Sequence, residues 1–297
     1  MSQQNYPHLV YGTPRKLPRA RTLPGRVVVL DIAFASTAGG ASFEKVTLPF
    51  IEGLGDRLVK WVDHHDHERH AEYADDPRFL LRTKAEAPAC PELVTEALVR
   101  EVGPYETICC HGDFDGLCAA AKWIRGGVEP YPGADADARA IDTRLGKPSE
   151  LGLLFDRALR GRPRDDGLKG LLVRTLVDGA RDRGMLEPFI EAGREMERHE
   201  AETLRISERY DYEGSLAICD ATERGGFYDK TMLLLIGQER AKVALVYDET
   251  TVTVAARFDS GIDLLEILGL DGGMPTRVSV ARKELDETLL RLRERFG

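Results

Sequence analysis

Five of the seven histidines fall in two short segments, Val62-Asp63-His64-His65-Asp66-His67-Glu68-Arg69-His70 and Cys110-His111-Gly112-Asp113-Phe114-Asp115-Gly116. Carboxylates and neutral imidazoles are the oxygen and nitrogen donors preferred by ions such as Mn2+, Fe2+ or Zn2+. On an extended loop a His-x-Asp-x-Asp spacing turns alternate side chains to one side, so Asp113 and Asp115 could serve two neighbouring ions. Gly116 frees the backbone to enter a helix whose first amides attract phosphate. Taken singly, each segment also reads as an ordinary feature: a strand-to-helix turn with Asp115 near an N-cap, or a charged surface turn at 63–65. Together they are harder to dismiss, because Asp31 supplies a third acid after another apolar run.

The elements around these residues give the clusters a common address. Val27–Leu30, Leu58–Val62 and Thr107–Cys110 are short, β-rich apolar runs, and each ends at a polar cluster. Helical patterns over Phe43–Leu54, Pro91–Val102 and Leu117–Ile124 separate them, with a further short strand at Phe79–Arg82. Strands alternating with helices predict a parallel α/β sheet, in which ligands lie beyond the carboxyl ends of the strands. The stretch 149–210 reads as helical throughout, its charged part Glu187–Arg209 as one long helix. Strands are then expected at Ser215–Ala221, Lys242–Tyr247, Thr251–Phe258 and Arg277–Ala281, and helices near Asp229–Ile236, Asp263–Leu268 and Leu285–Arg295. The expected organisation is an extended basic arm over 1–26, a metal-binding α/β domain over 27–186, a linker helix over 187–211 and a smaller α/β domain over 212–297. The arm carries Arg15, Lys16, Arg19, Arg21 and Arg26 before any acid appears. It reads either as a solvated, partly disordered tail or as a phosphate-attracting arm.

The Asp-His-His run at 63–65, the His-x-Asp-x-Asp-Gly loop at 111–116 and the isolated Asp31 together resemble the DHH phosphoesterase family. That resemblance implies two Mn2+ ions, with Mg2+, Co2+ or Fe2+ as alternatives, hydrolysing phosphodiesters or phosphoanhydrides. Such enzymes include oligoribonucleases, single-strand exonucleases, cyclic-dinucleotide phosphodiesterases and a class of pyrophosphatases. It further implies that His111 and Asp113 bind one ion, that Asp115 and His64 bind the other, and that Asp31 bridges them. His65 would face the substrate, and Asp63 would orient a histidine by accepting its other N–H. One more aspartate is expected on the second ion. Asp142, in Ile141-Asp142-Thr143, is the best candidate, with Asp137 and Asp135 as alternatives in an Asp-rich stretch of a kind common in loops. The family usually places the His-x-Asp-x-Asp loop first, whereas here it follows Asp-His-His, so the order looks permuted. In the C-terminal part, Arg257 and the pair Gly272-Gly273 are similar to the phosphate-holding residues of the DHH-associated domain. Met274-Pro275 stands where that family has His-Pro.

Composition narrows the classes. The chain has 297 residues, 50 Asp and Glu against 41 Lys and Arg, and a net charge of −9, which disfavours long duplex nucleic acid. No apolar run approaches the roughly 20 residues of a bilayer span. Five cysteines without a C-x-x-C motif point to a reducing cytoplasm and to small buried thiols. Cys109 and Cys110, adjacent on a strand, should point to opposite faces. His67 and His70 read as solvated, while His8 and His199 belong to no cluster. The leading expectation is a Mn2+-dependent phosphodiesterase acting on short oligonucleotides or dinucleotides and releasing 5′-monophosphates, with a homodimer left open. The rivals are a phosphoanhydride hydrolase and a catalytically silent nucleotide-binding module.

Overall fold

The computed structural model describes residues 6–37 and 40–297. β1 (His8–Tyr11) and β2 (Val27–Leu30) are followed by α1 (Thr47–Leu54), β3 (Leu58–Asp63), the two-residue β4 (Asp66–His67) and β5 (Phe79–Leu81). Then come α2 (Glu96–Val102), β6 (Thr107–Cys110), α3 (Phe114–Ile124), α4 (Ala134–Thr143), α5 (Glu150–Gly161) and α6 (Asp166–Val177). Five of these strands form one sheet in the order β1-β6-β2-β3-β5, every neighbour pair parallel. From β2 the chain moves outward through β3 to β5, then returns to place β6 on the other side. The end of β2 is therefore the switch point, the place where an open α/β sheet leaves a crevice.

Parallel strands covered on both faces must be apolar throughout, and β2 and β6 are buried at every position. Val28, Leu30, Val62, Ile108 and Cys110 face a core shared with α3, α5 and α6. Val27, Val29, Trp61 and Cys109 face the other core, with Phe34, Phe43 and Phe50. The two adjacent cysteines do point opposite ways. Each fully buried Val, Leu or Ile contributes roughly 1.5–3 kcal/mol, so the three central strands form a firm base for whatever their ends carry.

α7 (Glu187–Ser207) buries Phe189, Ala192, Met196, Thr203 and Ile206 along one face. After it come β7 (Asp211–Glu213), β8 (Leu216–Asp220), α8 (Lys230–Gln238), β9 (Val243–Tyr247), β10 (Thr251–Ala256), α9 (Leu264–Leu268), β11 (Gly272–Gly273), β12 (Arg277–Ala281) and α10 (Leu285–Phe296). The second sheet runs β12-β10-β9-β8-β7 and is antiparallel except between β8 and β9. The two units touch directly. β11 pairs with β4, and Asp271 Oδ1 accepts from the Thr37 amide at 2.8 Å and its hydroxyl at 2.5 Å.

Several expectations need correction. Part of the supposed arm is β1, whose residues register against Thr107–Cys110, so the sheet begins well before Val27; residues 1–5 lie outside the described residues. The helix expected from Phe43 starts at Thr47, whose hydroxyl accepts from the Ala35 amide at 2.8 Å, and Pro49 is tolerated in the first turn because no intrahelical N–H is needed there. The helix expected from Pro91 starts at Glu96, capped by Thr95, with Cys90–Leu93 as a separate 3-10 turn. The Asp-rich stretch at 134–142 is helix, not loop.

Candidate metal centre

Asp31 leaves β2 with φ 57, in the left-handed region that few non-glycine residues enter and aspartate tolerates best. Its amide still bonds Val62 O at 2.9 Å, so the strand pairing holds while the side chain turns into the crevice. Asp31 Oδ1 lies 3.1 Å from His64 Nε2 and Oδ2 lies 3.8 Å from His111 Nδ1. His64 is wholly buried at the end of β3. Its Nδ1 donates to Ala87 O at 2.8 Å, and its Nε2 faces Asp31 Oδ1 and Asp115 Oδ2, each 3.1 Å away.

His111 follows β6, its Nδ1 at 2.8 Å from Asp113 Oδ2. Asp113 caps α3 by accepting from the Gly116 amide at 3.1 Å, and Asp115 occupies the first turn, where Oδ2 accepts from the Cys90 amide at 3.1 Å. Gly116 was expected to free a turn. It is instead helical and needed for close approach: a Cβ would stand 2.6 Å from His111 O and 3.0 Å from Asp31 Oδ2. Asp142 arrives from the last turn of α4.

Three sets of donors thus converge, each with its ligand atoms within 4.8 Å of one another: Asp31, His111 and Asp113; His64, Asp115 and Asp142; and Asp31, His64 and His65. Asp31 is common to the first and third. Buried carboxylate oxygens almost always receive a hydrogen bond, yet Asp31 Oδ1 and Asp115 Oδ1 are buried and receive none. Unpaired hard oxygens beside imidazole nitrogens are the donor set a divalent ion takes. Asp31, His111 and Asp113 fit a divalent ion of the kind the resemblance implies.

The electrostatics agree. Burial, with the charges of Asp115 and Asp113, pushes the Asp31 carboxyl well above its ordinary value, and His64 offsets only part of this. Burial also raises Asp115, again against His64. Burial alone would lower His111, but Asp113 and Asp31 outweigh it and lift the imidazole to about 9. The centre thus favours protons on Asp31, Asp115, His64 and His111, while His111 keeps Asp113 ionised and Lys84 keeps Asp142 so, each against burial. Asp63 behaves otherwise. Burial works against its ionisation, yet His65, bonded through Nδ1 at 2.8 Å, holds the carboxyl at about 2. His65 itself is lowered by burial and by the Lys84 charge, against the pull of Asp63.

A segment not foreseen as functional completes the centre. Lys84 is 2% exposed; its Nζ lies 2.9 Å from His64 Nε2 and pairs with Asp142. The same stretch supplies Ala87 O and the Cys90 amide. A lone lysine and two backbone groups carry no sequence pattern that would reveal them.

Other anticipated residues are placed as follows. Asp135 pairs with Lys122 at 2.5 Å, and Asp137 accepts from Ser149 and Tyr131, so the two alternatives to Asp142 are engaged elsewhere. Gly272 and Gly273 pair with β4, and a Cβ on Gly272 would lie 2.5 Å from His67 Cδ2. Their close backbone approach thus serves the junction of the two units rather than an open phosphate loop. His67 is buried, not solvated, its Nε2 donating to Ala35 O at 3.2 Å and its Nδ1 accepting from the Arg69 amide. All five cysteines are buried and unbridged, and burial pushes Cys109 up to about 12.

Asp113 lies between two cavities. One, about 420 Å³, opens toward the second unit and is lined by Asp142, Arg144, Arg257, Met274 and Arg277. Arg257 is exposed and paired with Asp259 at 2.9 Å; Arg277 is lowered to about 10 by burial and by the Arg144 charge. The other, about 480 Å³, is lined by Tyr11, Lys16, His111, Arg160 and Lys169. A larger hollow of about 840 Å³ among Lys242, Arg291 and Arg295 in the second unit has no imidazole in its lining.

No family model and no curated protein matches the chain. Among solved structures, it is similar to exonuclease RecJ bound to manganese at 14% identity, covering 99% of this chain and 92% of that one with a TM-score of 0.48. It is similar to the pGpG-specific phosphodiesterase PggH from Vibrio cholerae at 15% identity over 52% of this chain, with a TM-score of 0.39, and spans 64% of the length of PggH. An uncharacterized protein from Helicobacter pylori G27 follows at 8% identity over 90% of this chain and 82% of that one, with a TM-score of 0.27. At these values the likeness decides nothing about chemistry, which rests on the centre itself.

Proposed function

We propose that this protein is a metal-dependent phosphoesterase that hydrolyses phosphodiester bonds of short oligonucleotides or dinucleotides to 5′-monophosphates, with Mn2+ as its ion. The observation that supports this is Asp113 and its donor cluster standing between two cavities that each carry basic side chains. A phosphodiester has a substituent on either side of its phosphorus, whereas each phosphorus of pyrophosphate has one, the other phosphoryl group. The anhydride reading is therefore the weaker one.

Asp31, His111 and Asp113 would hold a divalent cation, and His64, Asp115 and Asp142 form a second donor group that already contacts Lys84. Such an ion supplies Lewis-acid polarisation of a phosphoryl oxygen and hydroxide from water at neutral pH. The chain's own groups do the rest. Asp63 accepts the Nδ1 proton of His65, which fixes the ring and leaves Nε2 to take a proton from the attacking water or return one to the leaving oxygen. Arg257 and Arg277 bind the substrate's distal phosphate, and Lys16 and Lys169 line the opposite cavity. The balance is simple: water's oxygen joins phosphorus, the ester oxygen leaves, and it carries the proton.

The test is incubation of the Mn2+-loaded protein with labelled dinucleotides, five-residue RNA and DNA, nucleoside bisphosphates and pyrophosphate, with products identified. Mononucleotides from the diesters support the proposal. Orthophosphate from pyrophosphate alone would replace it with the anhydride reaction, and no product from any member would leave a binding module.

A further inference from the structure

We propose that the ammonium of Lys84 takes the place of a second divalent ion, so that the centre binds one ion, at Asp31, His111 and Asp113. This deepens the phosphoesterase reading and rests on it. His64 has one lone pair to give, because its Nδ1 proton is committed to Ala87 O at 2.8 Å. The donor nearest that lone pair is Lys84 Nζ, 2.9 Å from Nε2, and the same nitrogen pairs with Asp142. Two of the three donors of the His64, Asp115 and Asp142 group are thus already engaged by a cation. An ion there would have to displace the ammonium.

Displacement is opposed by how Lys84 is held. Thr83 O accepts from the amides of Glu86 at 3.1 Å and Ala87 at 3.0 Å, closing a turn whose next bond is the one from His64 to Ala87 O. The Lys84 amide is itself tied to Asp66 Oδ2 at 3.2 Å. The element that orients His64 therefore also delivers the ammonium, and at 2% exposure the side chain is buried there. The first donor group differs: no lysine or arginine pairs with Asp31 or Asp113 among the described residues, and Asp31 Oδ1 is left unbonded.

The test is the manganese content of the full chain after saturation with Mn2+ and removal of the unbound ion, with the electron paramagnetic resonance spectrum of the same sample. One equivalent per chain with an uncoupled six-line spectrum is expected. Two equivalents with a spin-coupled spectrum would overturn the proposal while leaving the phosphoesterase reading intact, and well under one equivalent would overturn that reading as well. Lys84→Ala should raise the content to two equivalents and introduce coupling; a folded variant that remains at one equivalent would contradict the role given to Lys84. If the variant does not fold, the wild-type spectrum alone decides.

Discussion

Asp31 is where backbone and chemistry meet: a left-handed aspartate at the sheet's switch point, with one oxygen toward each of two histidines. Asparagine tolerates the same backbone region, so Asp31→Asn should keep the fold, unchanged by circular dichroism, while removing a ligand charge. Turnover should fall by more than the roughly 10–100-fold expected for Asp63→Asn, which disturbs only the partner of His65. Equal losses in the two variants would take Asp31 out of the centre. His65→Ala should lose about 10²–10⁴ in turnover yet keep its metal, and loss of metal instead would make His65 a ligand. At this scale the sequence marked side chains that the fold gathers, His64, His111, Asp113 and Asp115 among them. It was silent on Ala87 O and the Cys90 amide, which any residue could provide, and on Lys84, one lysine among many.

Among the elements, the central strands were readable because burial on both faces forces uninterrupted apolar runs. β1 was not, since Pro7 and Pro14 flank its four residues and the basic residues after it resemble a solvated tail. α4 was obscured by aspartates whose partners, Lys122 and Ser149, are distant in sequence. The start of α3 offers a sharp test. Alanine is favoured over glycine inside a helix by roughly 0.5–1 kcal/mol, but at Gly116 its methyl would press on His111 O and Asp31. Gly116→Ala should therefore lower Mn2+ affinity by calorimetry; unchanged affinity would show that the contact yields freely.

The β9–β10 hairpin carries a pH prediction. Burial opposes ionisation of Asp248, but Lys230 and the amides of Thr250 and Thr251 hold its pKa below the usual 3.8. A depressed folded value means the contribution to stability is fully present above about pH 4 and is lost as pH falls toward the folded value. Asp248→Asn should flatten the decline of the urea midpoint between pH 4 and pH 2. An unchanged slope would assign acid sensitivity to other carboxylates.

Over the whole molecule, α7 joins the two units: Thr203 Oγ1 accepts from the Asp229 amide at 2.8 Å, while Arg160 of α5 pairs with Asp229. With the β4–β11 pairing, this sets Arg277 across the cleft from Asp142. Arg277→Ala should raise KM for a dinucleotide about tenfold, near 1.4 kcal/mol, with kcat little changed. A fall in kcat at constant KM would instead place Arg277 at the reacting phosphate. The split into a parallel-sheet unit, a long helix and a smaller unit follows from hydrophobic period and could be read in advance. The β4–β11 seam could not, because two glycines facing an Asp-His pair leave no periodic trace.

On this account, side chains from the ends of two neighbouring strands, β2 and β6, bind a divalent ion in one crevice. Diffraction from Mn2+-soaked crystals on either side of the manganese absorption edge tests it most directly. An anomalous peak within bonding distance of Asp31, His111 and Asp113 is the predicted result; an empty map there, with manganese bound elsewhere or not at all, would contradict it.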